Sequence, residues 1–125
     1  MSLRGLSTQY LQIESVAADT VVVHVELDRL TDDINLEQLG QHLYAIVEEQ
    51  GCRRLSVNLD SVRSMAAAAL GKLIVLHRKM HRHSGRLLFC NVHPLIEDAL
   101  RASHLWDYLQ IVPDLNGALS KLTQA

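Results

Sequence analysis

Aromatic side chains are scarce in this chain, with one tryptophan, three tyrosines and one phenylalanine in 125 residues. Only Trp106 and Tyr108 stand close together, and such a pair is expected to pack the last helix rather than to stack a ligand. A basic excess is missing too. The formal charge is -2, whereas a protein that tracks phosphates carries a clustered basic surface, so nucleic acid is not an expected partner. The local cluster Arg78, Lys79 and Arg82 has the spacing of a solvated helix face. Cysteine is limited to Cys52 and Cys90, in apolar surroundings and without CxxC spacing. That usage favours reduced, buried thiols in a cytoplasmic protein over a disulfide framework. No apolar run approaches the roughly 20 residues that cross a bilayer, so no direct membrane insertion is expected. Neither a repeat nor a Pro/Gly-rich linker divides the chain, and its length suggests one domain with a real core.

What the chain does have is periodicity. Residues 1–9 show none and are expected to form a flexible arm ahead of a domain over 10–123. Tyr10 to Val16 alternates, Val21 to Leu27 is β-branched and apolar, and the four residues between them predict a hairpin. Asn35 has the place of a helix cap, with Gln38 three residues on and Ile34 and Leu39 positioned as a hydrophobic staple. Leu36, Leu39, Leu43, Ile46 and Val47 continue at helical spacing towards a stop at Gly51. Arg54 to Leu59 then alternates as a strand.

A helix over Ala66 to His83 follows, with Ala66, Leu70, Leu73, Leu76 or His77, and Met80 on its apolar stripe. Arg86 to Cys90 reads as a strand covered on both faces. Pro94 opens a third helix whose apolar side includes Leu95, Ala99 and Leu100. Gln110 to Val112 is a short edge strand, and Pro113-Asp114 starts a terminal helix through Leu122. The order β-β-α-β-α-β-α-β-α predicts an α/β fold, a single domain with a mixed β-sheet of about five strands and about four helices.

Candidate chemistry centres on Ala66, Ala67, Ala68 and Ala69. A helix start points unpaired N–H groups outward, but here it presents only methyl groups. No nucleophile, general base or metal ligand lies between Met65 and Gly71, so the stretch suits a contact surface better than a catalytic centre. Ser64, with Ser61 the nearest remaining hydroxyl, has the place of a turn or cap residue. Asp32, Asp33 and Asn35 form an acidic first turn that the helix dipole favours, at the same sheet edge. His93 precedes Pro94 near that edge, as a turn cap or a binding residue. His77 and His81 share a helix face, with His83 close by, yet no acidic or thiol ligand accompanies them. A solvated surface is the expectation there, and neither a metal nor any other cofactor is expected.

The strand leading to Asp60-Ser61-Val62, the small-residue helix start, Leu70-Gly71-Lys72-Leu73, Ser84-Gly85-Arg86-Leu87-Leu88-Phe89-Cys90 and the segment Leu105 to Asp114 together resemble a STAS domain, the fold of bacterial anti-sigma factor antagonists. The resemblance runs from about Tyr10 to Leu122, and it rests on order and spacing rather than on one motif. In those antagonists the helix start reads Asp-Ser-Ser/Thr-Gly-Leu-Gly, and the first serine is phosphorylated by the anti-sigma kinase that the antagonist binds. Aligning on Leu70-Gly71 puts Ala66 at the aspartate, Ala67 at the phosphoacceptor, Ala68 at the second hydroxyl residue and Ala69 at the glycine.

The resemblance therefore implies a non-enzymatic regulatory module that binds an anti-sigma factor through Ser64, Ala66 to Ala69, Asp33, Asn35 and His93. Alanine at the phosphoacceptor implies either a permanently unphosphorylated antagonist or a branch controlled by another route. Two alternatives come from other classes. One is a STAS-like accessory domain that binds a nucleotide, a lipid or a membrane-complex subunit near Ser64 or His93. The other is a metal-dependent enzyme using His77 and His81. A homodimer through an edge strand or the flat alanine surface is a further candidate partner.

Overall fold

The computed structural model describes residues 10–17, 19–31 and 34–123, with the side chains of Ile34 and Asn35 left out. The expected arm therefore lies outside the described residues. Strands β1 (Leu11–Ala17) and β2 (Thr20–Val25) form the predicted antiparallel hairpin. Then come β3 (Arg29–Leu30), α1 (Ile34–Glu48), β4 (Arg54–Asn58), β5 (Ser64–Met65), α2 (Ala67–Arg82), β6 (Arg86–Cys90), α3 (Pro94–Ala102), β7 (Ile111–Val112) and α4 (Leu115–Thr123). The main sheet has the order β1-β2-β4-β6-β7. It is parallel from β2 onwards and antiparallel only at β1. The mixed five-stranded sheet and four helices are those the sequence predicts.

Alternation divides the sheet into two faces. Val21, Val23 and Val25, Leu55 and Val57, and Leu87 and Phe89 point into the larger core with Leu36, Leu39, Leu43 and Ile46 of α1 and Leu73, Leu76 and Met80 of α2. On the opposite face Leu88, Cys90 and Val112 pack against Ala118 and Leu122 of α4. The strand β6 is thus covered on both sides, and Cys52 and Cys90 are free and buried. Desolvation pushes the Cys52 thiol up to about 11 and raises that of Cys90 as well.

Two glycines are required by geometry. Gly51 turns the chain out of α1 at φ +70°. A Cβ on Gly85 would stand 2.7 Å from Met80 Cε and 2.9 Å from the Arg53 carbonyl, so the turn between α2 and β6 closes only around a hydrogen.

Several expectations change. Helix α1 begins at Ile34, so Asn35 sits inside its first turn instead of capping it. The buried stripe of α2 is Ala69, Leu73, Leu76 and Met80, while Ala66 and Leu70 are only half-buried. In α3 the inward residues are Ile96 and Leu100, which turns Leu95 and Ala99 to solvent. Trp106 packs against the larger core, and Tyr108 is exposed. Trp106 lies under the Arg101 guanidinium, 4.4 Å from its ring centroid, and Tyr108 leans on His77 at 4.5 Å. The parallel pair β3–β5 has no counterpart in the strand pattern of the sequence.

Candidate functional site

Parallel strands followed by helices bring the starts of α2, α3 and α4 to one edge of the sheet, where the strands end. The approach to α2 is fastened there by the main chain. The amides of Arg63 and Ser64 both donate to the Asp28 carbonyl, at 2.7 and 3.2 Å, and the Ala66 amide donates to the Leu30 carbonyl at 2.8 Å. Parallel pairing of Arg29 with Ser64 and of Leu30 with Met65 completes this ribbon. Ser64 is therefore an exposed strand residue, not the cap that its residue type suggests.

The cap position belongs to Ala66, whose extended backbone has φ -77° and ψ 161° and whose methyl group offers no oxygen to the first turn. The Ala66 carbonyl accepts from the Ala69 and Leu70 amides at 3.0 and 3.3 Å. Among the described residues nothing accepts from the Ala67 and Ala68 amides. Ala67 is exposed, Ala66 and Ala68 are half-buried, and Ala69 is 1% exposed within the core. No acidic residue stands in this first turn. The four alanines thus divide into three that shape a surface and one that belongs to the interior.

Beside this start, a groove of about 200 Å³ runs between α2 and α3, with Met65, Leu70, Leu95 and Ala99 as its apolar walls and Arg63 at its rim. Leu95 is 67% exposed, far more than a helix residue needed for packing. His93 caps α3, its Nδ1 accepting from the Leu95 amide at 3.1 Å. This is the capping role weighed for it above. Asp33 and the Asn35 side chain lie outside the described residues.

A polar row missed in the sequence crosses the sheet at the same edge. Glu14 Oε1 meets His24 Nε2 at 2.9 Å, and His24 Nδ1 meets Asn58 Nδ2 at 2.9 Å. Asn58 Oδ1 in turn accepts from the Asp60 amide at 3.0 Å and from Asn91 Nδ2 at 2.9 Å. These residues come from four separate segments, and no spacing in the sequence announces them. His77 and His81 find no third metal-type ligand among the described residues. Burial, with His81 adding to it, lowers the His77 pKa, and its Nδ1 is enclosed without a hydrogen-bond partner.

A STAS domain model matches residues 12–118 of this chain. The chain belongs to the STAS domain family. Solved structures share its fold. One is a Thermotoga maritima protein named as a candidate anti-sigma factor antagonist, at 14% identity and a TM-score of 0.80 over 93% of this chain and 97% of that one. A second is an anti-sigma factor antagonist from Mycobacterium paratuberculosis, at 19% identity and 0.77 over 94% and 99%. A third is SpoIIAA, an anti-sigma factor antagonist and Bacillus cell fate determinant, at 18% identity. Its unphosphorylated form gives 0.76 over 89% and 94%, and its phosphorylated form 0.71 over 89% and 97%. At such identities the likeness is one of fold. Among the described residues of this STAS domain, no helix is long and apolar enough to cross a membrane.

Proposed function

We propose that this STAS domain is an anti-sigma factor antagonist, a non-enzymatic cytoplasmic module that binds a serine-kinase-type anti-sigma factor through the start of α2 and so releases a sigma factor. One observation carries this reading. Ala67 and Ala68 present methyl groups and unpaired amides at an exposed, uncapped helix start, beside an open apolar groove. Backbone N–H groups in that setting suit a partner's carbonyl or carboxylate. The neighbouring structures named as antagonists support the same assignment, and SpoIIAA exists in a phosphorylated and an unphosphorylated form.

In this reading, matched on Leu70-Gly71, Ala67 stands for the phosphoacceptor, and it is the first, exposed residue of α2. A phosphate would add about −1.5 to −2 charges to the surface and repel or desolvate a partner. Alanine carries none, so this domain stays in its binding state, and control falls to its abundance or to another contact. Ser64, Asp33, Asn35 and His93 frame the surface in this reading.

The test is a titration of the purified domain into a kinase-like ATP-binding protein from the same genome, with Ala67→Glu in parallel. The wild type binds, and the variant loses at least about tenfold in affinity through repulsion at the interface. Equal affinity of the two forms, or capture of membrane-complex subunits alone in a paired pull-down, overturns the assignment.

A further inference from the structure

The row Glu14–His24–Asn58–Asp60 has a polarity fixed by one group. The Asp60 amide can only donate, so the Asn58 atom facing it at 3.0 Å is the carbonyl oxygen. That turns the Asn58 NH2 towards His24, where the ring nitrogen 2.9 Å away must accept and therefore carries no proton. The other ring nitrogen holds the proton and donates to the Glu14 carboxylate. Asn91 agrees with this assignment, since its Nδ2 also donates to Asn58 Oδ1. His24 thus sits in a single neutral tautomer.

A second proton on His24 has no place in that arrangement. It would point an N–H at the Asn58 NH2. Turning the Asn58 amide over would accept that proton, but it would set the NH2 against the Asp60 amide and the Asn91 NH2. Either the His24–Asn58 bond or the turn between Asn58 and Asp60 is lost. The turn begins the loop that runs through Val62, whose amide donates to the Leu59 carbonyl, to Arg63 and Ser64 on the Asp28 carbonyl and on to Ala66. Asp28 itself ends the segment that leaves His24 and β2.

The charged groups facing His24 are carboxylates: Glu14 from β1, Glu26 beyond the end of β2 and Asp60 from the loop. Glu26 and Asp60 border, with His24, a polar cavity of about 230 Å³ whose lining holds no lysine or arginine, and Glu14 meets the ring from the side of β1. Histidine is the side chain that changes charge between about pH 5 and 8.

We propose that His24, Asn58 and Asp60 form a proton-operated latch on the loop that delivers the start of α2. Neutral His24 keeps the Asn58 oxygen on the Asp60 amide, and protonated His24 turns the Asn58 amide over to itself, which frees the Asp60 amide and loosens the approach to Ala66. The latch is a property of the free domain and does not depend on the identity of its partner.

The experiment is ¹⁵N NMR of the isolated domain between pH 8 and pH 5. At pH 8 the His24 nitrogen facing Glu14 carries the proton. As His24 gains its second proton, the Asp60 amide loses about fivefold in exchange protection after correction for the intrinsic rate, the factor that one net hydrogen bond is worth. His24→Gln removes this pH dependence. Asn58→Asp, whose carboxylate accepts from the protonated ring and from the Asp60 amide together, keeps the protection at pH 5. Protection of Asp60 that survives the titration in the wild type overturns the latch, as does a loss that persists in His24→Gln or a proton on the Asn58-facing nitrogen at pH 8. Were Asn58→Asp not to fold, the wild type and His24→Gln decide the matter.

Discussion

The two ends of α2 are built on opposite plans. At its C-terminal end Lys79 pairs with Glu48 and lies 5.1 Å from the centre of the Tyr44 ring, His77 rests on Tyr108, and the last turn holds Lys79, His81 and Arg82. Cations there complement the helix dipole, and the hydrogen bond from Lys79 lowers the Glu48 carboxyl pKa. At the N-terminal end the dipole would favour an acid and the amides would favour a capping oxygen, yet neither is present. The difference shows where side chains serve the fold and where they are left to face something else. One end is tied down by charged and aromatic groups. The other is held from behind, through main-chain bonds to Asp28 and Leu30, and leaves its front bare.

The strongest way to break this contrast is Ala69→Asp. Its methyl group is the one member of the run that lies in the core, so an unpaired buried carboxylate should cost about 3–5 kcal/mol in urea unfolding. A variant as stable as the wild type would mean that all four alanines belong to the surface. Next in size is Ala66→Asp, which supplies the missing cap oxygen to the Ala68 amide. Thermal and urea unfolding should show a gain of about 1 kcal/mol, and a loss would show that the helix start is already satisfied.

The smallest effect belongs to the other end and depends on pH. The folded His77 pKa lies below its ordinary 6.5, mainly through burial, so the unfolded chain takes up its proton first as pH falls. Its contribution is complete above that ordinary value and is lost as pH drops through the lower folded one. Unfolding midpoints of His77→Gln should therefore fall less steeply than those of the wild type between pH 7 and 5. Parallel slopes would remove His77 from the packing account.

Most of the architecture was legible because burial leaves a period. The alternation of β1, the Leu36–Leu39–Leu43 spacing of α1 and the apolar β6 each answer to a fixed geometry. The misses lie where the pattern is silent. Four successive alanines look alike whichever way they face, so the pattern puts Leu70 on the α2 stripe, one residue beyond the buried Ala69. Leu95 and Ile96 are equally apolar neighbours, and only the docking of α3 decides that Ile96 turns inward. Ser64 has the chemistry of a cap, but pairing with Arg29 draws it into β5. A two-residue strand whose bonds are all main-chain leaves no side-chain signature. The alanine surface itself was visible in the sequence; the groove beside it and the His24 row were not, since both are assembled from distant segments.

The ribbon of β3 and β5 has an evolutionary consequence. The bonds that fix the approach to Ala66 run between peptide groups, from Arg63 and Ser64 to Asp28 and from Ala66 to Leu30. Drift in side-chain identity at the exposed positions 60, 61, 63, 64 and 67 therefore leaves the address of the helix start unchanged, provided that residues able to donate through the main chain remain at those three positions and Val62 stays in the core. A lineage can exchange hydroxyls, acids or methyl groups on that platform and so change what it answers to, without having to re-evolve the platform.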